Sequence, residues 1–317
     1  MNLVPDPDPK WSPRRVAILG ASGLTGSGLA SQLSQSEWCD EVVLFDLRRN
    51  ILESHAIDLL ESQIVTGRTR TKLTVADLDR AASVGQVDLV VVAASLPENP
   101  DGDRTAFLAG NLDVLAALVA PIEALAGTDG IVMILTNPAD VLASVLAATS
   151  SIPPQRIFGY CLNDSVRFAA AVARELGVDP SRVEACVLGE HGDGQVPLYS
   201  LLRLDGASLE LDPAQRARVD ADARGWFRRW SDLRPGRSSG WTTPVGALAT
   251  IERLVQGEPV PAAVWGPDAG LAASHVTLLA RFSEGHVVPA GTPGNDQERA
   301  LVAQAADALA HRVAAVC

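Results

Sequence analysis

Two short stretches carry residue types that chemistry needs, and each is weak alone. GEHGD, residues 189–193, sets one histidine between two glycines with an acid on either side. A free imidazole titrates at about 6.5, so His191 is a candidate for reversible proton transfer near neutral pH. A histidine in a glycine-rich turn can equally be a solvated surface group. The second stretch is Gly20-Ala-Ser22-Gly23-Leu24-Thr25-Gly26. It follows an apolar run and opens a helical pattern. Its glycines allow a tight turn and close backbone approach, and the helix N-terminus offers free N–H groups to a pyrophosphate. Asp46 lies twenty residues beyond Gly26. A carboxylate there accepts hydrogen bonds from an adenosine ribose diol and repels a 2′-phosphate, which favours NAD over NADP. Arg48 and Arg49 follow directly, and arginines at that place can serve NADP instead.

These residues need a frame to hold them. RVAILG (15–20), VVLFD (42–46), VDLVVVAAS (87–95) and GIVMILTN (130–137) are apolar, β-branched runs. Helical stretches such as RTAFLAGNLDVLAALVAPIEAL (104–125) lie between them. That alternation predicts an α/β fold with a doubly wound parallel sheet of Rossmann type over residues 14–160. Residues 161–317 predict a second, mixed α+β substrate domain. Helices are expected at 164–178, in PAQRARVDADARGWFRRW, in PVGALATIERLVQG and at the chain end. Strands are expected in VEACVLG, QVPLYSLLRL, VPAAVWG and HVTLLARF. Residues 1–13, rich in Pro and Asp, read as a disordered tail without the basic and apolar regions of a signal peptide.

Composition narrows the function. A net charge of −12 disfavours a general nucleic-acid surface, because phosphates would be repelled. Cys39, Cys161, Cys186 and Cys317 form no CxxC, which fits a reducing cytoplasm. No apolar run is expected to reach membrane-spanning length. Five dispersed histidines give no metal-ligand spacing. Only Lys10 and Lys72 are present, so no Tyr-x-x-x-Lys pair exists and a short-chain dehydrogenase is disfavoured. A small-molecule substrate is the expected partner.

DGDRTAFLAGN (101–111), TNPAD (136–140) and NDSVRF (163–168) complete an ordered set with GASGLTG, FD and GEHGD. The set resembles the lactate/malate dehydrogenase family, closer to the malate branch, from about Arg15 onward. The resemblance implies hydride transfer between C2 of a 2-hydroxy acid and NAD, in a homodimer or homotetramer. It implies that His191 takes the hydroxyl proton and that Asp164 fixes the imidazole and stabilises its cation. Arg167 matches the arginine that grips the C1 carboxylate, and Arg104 the loop arginine that polarises the C2 oxygen. Asn137 matches an asparagine beside the nicotinamide and the reacting oxygen. Ala94 and Asn111 join the cofactor set. Singly, each has a plain alternative: Asp164 as a helix cap, Arg167 as a surface ion pair, Asn137 as a turn residue.

Two places depart from the family pattern. The loop before Arg104 is basic in malate enzymes, whereas here Glu98 stands with Asn99, Asp101 and Asp103. An acidic loop would disfavour a second carboxylate on the substrate and favour a side chain bearing a cation or a hydrogen-bond donor. RPGRSSGWTTP (234–244) places the small Gly240 on the expected opposite wall, after a segment rich in Arg and Trp. That segment reads either as a helix with an apolar Trp face and a solvated Arg face, or as the source of a compensating arginine. Rival functions are a true malate dehydrogenase using such an arginine, and a dinucleotide-binding sensor that has lost efficient chemistry.

Overall fold

Aliphatic runs and the helices between them alternate through the first half of the chain. They are β1 (Arg15–Leu19), α1 (Leu24–Ser34), β2 (Glu41–Phe45), α2 (Arg49–Thr66), β3 (Lys72–Ala76), α3 (Ala81–Val84), β4 (Leu89–Val92), α4 (Arg104–Ala126), β5 (Ile131–Ile134), α5 (Ala139–Thr149) and β6 (Ile157–Tyr160). The computed structural model describes residues 11–96, 104–234 and 240–317, with the side chains of 104–106 outside that description. The six strands run parallel in the order β3-β2-β1-β4-β5-β6. In this order the winding reverses between β1 and β4, and a crevice opens beyond their carboxyl ends. β1, β2, β4, β5 and β6 are almost wholly buried, as strands covered on both faces must be.

The second half adds α6 (Leu162–Leu176), β7 (Val183–Glu184), β8 (Val187–Gly189), β9 (Gln195–Pro197), β10 (Arg203–Leu204), β11 (Ala207–Ser208), α7 (Pro213–Arg224), α8 (Trp226–Asp232), α9 (Thr242–Gln256), β12 (Val260–Trp265), β13 (His275–Ser283), β14 (His286–Gly291) and α10 (Asp296–Ala314). β12 pairs antiparallel with β6, and β13, β8 and β9 follow outward, with β14 also on β13. One sheet therefore crosses the expected boundary at residue 160. Val132 and Ile134 share one core with Val264 and Val276. β7, β10 and β11 form a separate small sheet over a second cluster that includes Phe168, Val172 and Leu202.

Several local expectations change. Trp11 is buried and stacks on Phe282 with ring centroids 5.2 Å apart, so ordered chain begins before residue 14. QVPLYSLLRL is split by a 3-10 turn at Tyr199–Leu201, and VEACVLG serves two different sheets. The helix expected through Arg-Gly-Trp breaks at Gly225 into α7 and α8. β3, β6, β11 and β14 were not expected. Phe107–Ala126 is apolar and long enough to cross a bilayer by length and composition, contrary to expectation. Its stripe of Asn111, Leu115, Leu118, Ile122 and Leu125 is buried.

Candidate active site

The crevice between β1 and β4 is shaped by glycines. Gly20 turns the chain after β1 with φ +91°, and a Cβ there would lie 2.4 Å from the Ala94 backbone nitrogen beyond β4. A Cβ on Gly26 would lie 2.2 Å from the Gly20 carbonyl oxygen, so only glycine lets α1 start this close to the turn. At Gly23 the protein's own packing makes no such demand, since the nearest atom to a Cβ is 3.4 Å away. Gly23 caps α1 without a side-chain hydrogen bond, which leaves the helix N-terminus for an anion. Leu24 and Thr25 form its first turn.

Asp46 closes this end. One of its oxygens accepts the Ser22 N–H at 3.1 Å and the other the Arg48 N–H at 3.1 Å. Burial pushes its carboxyl pKa up, but hydrogen bonds from Ser22 and Arg48 outweigh burial and hold it below the usual range. Arg48 Nε donates to Ser22 Oγ at 3.1 Å, whereas Arg49 turns to Glu53 and Asp77. These features fit a dinucleotide: a glycine cradle, an uncapped helix start and an ionised acceptor at the ribose end. Asp46→Ser is expected to raise the Kd for NADH about tenfold while weakening NADPH less, the scale of one charged hydrogen bond. Equilibrium titration of both cofactors checks this, and equal losses for the two would contradict it.

Asn111 joins the walls of the crevice. Its amide oxygen accepts the Leu96 N–H at 2.9 Å and its amide nitrogen donates to the Asn137 carbonyl at 3.0 Å. With both ends of its amide engaged and almost no exposure, it holds the loops after β4 and β5 together. Asn137, which precedes Pro138 through a cis peptide, is exposed at the end of β5. Gly240 sits where a Cβ would lie 2.1 Å from Leu24 Cδ2, so it packs on the cofactor loop. Glu98 with its acidic neighbours, and the Arg104 side chain, lie outside the described residues; Arg104 opens α4.

The chemical groups converge from two elements. Asp164 lies in the first turn of α6, Arg167 one turn further, and His191 just past β8. His191 Nδ1 lies 2.7 Å from Asp164 Oδ2. A neutral imidazole donating there from Nδ1 carries its lone pair on Nε2. The charge of Asp164 raises the His191 pKa first; burial opposes it, Asp140 adds to the rise and Arg167 opposes it. Arg167 Nη1 lies 3.4 Å from Asp164 Oδ1, and its guanidinium carbon sits 3.8 Å from the centre of the Trp226 ring. Trp226 stacks in turn on Trp230, with centroids 5.5 Å apart. Both oxygens of the Asp164 carboxylate are therefore used, one for the imidazole and one for the guanidinium. This dyad with an adjacent cation is the arrangement of a proton-transfer site that binds an anion.

The sequence models of the lactate/malate dehydrogenase NAD binding domain and alpha/beta C-terminal domain match residues 14–159 and 163–223. The L-lactate dehydrogenase of Thermus aquaticus is 34% identical over 221 residues, 66% of this chain and 69% of that enzyme. This chain belongs to the lactate/malate dehydrogenase family. Its members are NAD-dependent oxidoreductases acting on CH–OH groups, and the first half of the chain is their NAD-binding domain. The malate dehydrogenase of Thermomicrobium roseum is also 34% identical, over 205 residues, with 64% of each chain covered. The sequence alignment thus spans just under two thirds of that relative. The fold extends further. The Cryptosporidium parvum malate dehydrogenase structure superposes with a TM-score of 0.83 at 22% identity, covering 96% of this chain and 99% of that one. A lactate dehydrogenase from the same organism, complexed with lactic acid and NAD, gives 0.81 at 23% identity over 95% of this chain and 98% of that one.

Two residues that matter here carry no site role in the sequence reading. Trp226 lies beyond the last family-matched residue, and only the fold brings it over Arg167. Asp140 ends the quoted TNPAD stretch, yet its contact is 51 residues away, at the His191 backbone. In the segment expected to hold a compensating arginine, Arg224 bonds the carbonyls of Asp193 and Gln195, and Arg229 pairs with Asp222. Of the arginines named in that segment, Arg229 is thus engaged away from the His191–Asp164 pair, and the Trp face of α8 meets Arg167.

Proposed function

We propose that the chain is a reversible NAD-dependent 2-hydroxyacid dehydrogenase whose substrate is neither lactate nor malate. The observation that carries the activity is the 2.7 Å contact between His191 and Asp164, with Arg167 one helical turn away. Arg167 binds the C1 carboxylate through its planar fork, held flat by Trp226. His191 Nε2 takes the C2 hydroxyl proton during oxidation and returns it during reduction. Asp164 keeps the ring in the required tautomer and offsets the charge that the ring acquires. NAD, when bound, supplies the hydride acceptor at its nicotinamide. Arg104, at the start of α4, polarises the C2 oxygen, and Asn137 borders the same place.

The substrate assignment rests on Glu98, Asp101 and Asp103 standing before Arg104. Two like charges about 4 Å apart repel by roughly 4 kcal/mol at an effective dielectric near 20, which disfavours a second carboxylate. The expected side chain carries a cation or a hydrogen-bond donor. A screen of 2-oxoacids with NADH tests this: cationic or neutral polar side chains should be reduced fastest. Oxaloacetate reduced far faster than these would overturn the substrate assignment. No turnover of any 2-oxoacid would overturn the activity. A homodimer or homotetramer accompanies this proposal, supported by exposed Ile57, Leu60 and Ile64 on one face of α2. Light scattering that gives the mass of one chain would contradict it.

A further inference from the structure

Asp140 is the most deeply buried acid among the described residues, and the dyad does not account for it. It lies in the first turn of α5, three residues after Asn137. Its Oδ2 accepts the backbone N–H of His191 at 2.7 Å. Its Oδ1 is buried and has no hydrogen-bond partner among the described residues. A buried carboxylate with an unengaged oxygen is unfavourable, so packing alone gives no reason for an acid here.

The loop that carries His191 does need a second anchor. Gly189 and Gly192 flank the segment with φ +89° and +129°, conformations that leave the backbone free to take other paths. The bond from Asp164 fixes the ring but not the main chain from which it projects. We propose that Asp140 is a second positioning residue for His191: Asp164 holds the ring through Nδ1, and Asp140 holds the backbone N–H. Both anchors are carboxylates near a helix N-terminus, where the free N–H groups favour negative charge. This inference rests on the dehydrogenase reading above.

The anchor also brings a second carboxylate close to His191. Asp140 contributes to the raised pKa of His191, after Asp164, while Arg167 of α6 opposes both. Burial pushes the Asp140 carboxyl up to about 6, and His191 is the main group that holds it down. The other groups facing this cluster are Glu190, paired with Arg312 of α10, and the buried Cys161 thiol beside Thr277 of β13. Burial keeps the thiol protonated. His191 is thus influenced by two carboxylates, Asp164 at its ring and Asp140 at its backbone.

Asp140→Asn and Asp140→Ala separate the two contributions. Three readouts serve: steady-state kcat and KM with an oxoacid substrate, NADH binding by fluorescence, and His191 ring titration by NMR in the cofactor-free protein. Asn keeps an acceptor for the His191 N–H and should hold kcat within about threefold, whereas Ala should lose about tenfold or more, with NADH binding unchanged in both. Both variants should lower the His191 pKa by about half a unit or more, since each removes the charge. A folded Ala variant with wild-type kcat, or an unmoved His191 titration in either variant, would overturn the proposal. If Ala does not fold, the titration of the Asn variant decides. The NMR titration needs no substrate, so it still tests Asp140 if wild-type protein reduces no 2-oxoacid and the dehydrogenase reading fails.

Discussion

His191→Asn is expected to bind NADH normally and to lose at least about a hundredfold in turnover, the usual scale for removing a general acid and base. Asparagine fills similar space and can still donate to Asp164, so the surrounding loop should persist. Its amide cannot exchange a proton with the C2 oxygen near neutral pH. The cradle at Gly20, Gly23 and Gly26 belongs to the β1–α1 turn, whereas the His191 hydrogen bonds run to Asp140 and Asp164. A loss in kcat with unchanged NADH affinity is therefore the signature expected. Near-normal turnover would remove His191 from the mechanism.

Arg167→Leu is expected to reduce kcat/KM toward oxoacid substrates about a hundredfold or more, because a bidentate grip on a carboxylate vanishes in a partly desolvated site. Arg167→Lys should fall between, keeping the charge and losing the fork and its stacking on Trp226. The change has a second consequence. The cation holds the His191 pKa down, so its removal should move the titration of His191 upward. Steady-state kinetics across pH checks both effects together. If Arg167→Leu keeps its catalytic efficiency within about threefold of wild type, Arg167 is not the carboxylate clamp.

Four of the six parallel strands were legible in the sequence, and the structure brings together Asp164, Arg167 and His191, which the family resemblance singled out. Strands covered on both faces are nearly all apolar, and glycines forced by close approach leave an ordered mark. Elements with weaker marks were not. β3 is only half buried, and β14 follows a tight turn at Gly285 and carries Pro289, so neither shows a clean alternation. The strand expected in QVPLYSLLRL breaks because its hydrophobic residues serve two cores: Val196 and Leu198 the main one, Leu202 the smaller. Asp164 and His191 were legible as a pair only through the family resemblance, since 27 residues separate them. Asp140 and Trp226 act through contacts that no local pattern encodes. One is a side chain bonded to a distant backbone, the other an aromatic face laid on a guanidinium.

The most direct test of the His191–Asp164 dyad is the pH dependence of kcat/KM in the reductive direction, for wild type and for Asp164→Asn. Reduction needs the protonated imidazole, so kcat/KM should fall as pH rises through the His191 pKa. Asp164 raises that pKa above the ordinary 6.5, so the wild-type fall should come above this value. In Asp164→Asn the fall should move to lower pH as the maximal rate drops. A wild-type profile flat from pH about 5 to 9, or a limb that Asp164→Asn leaves in place, would contradict the account.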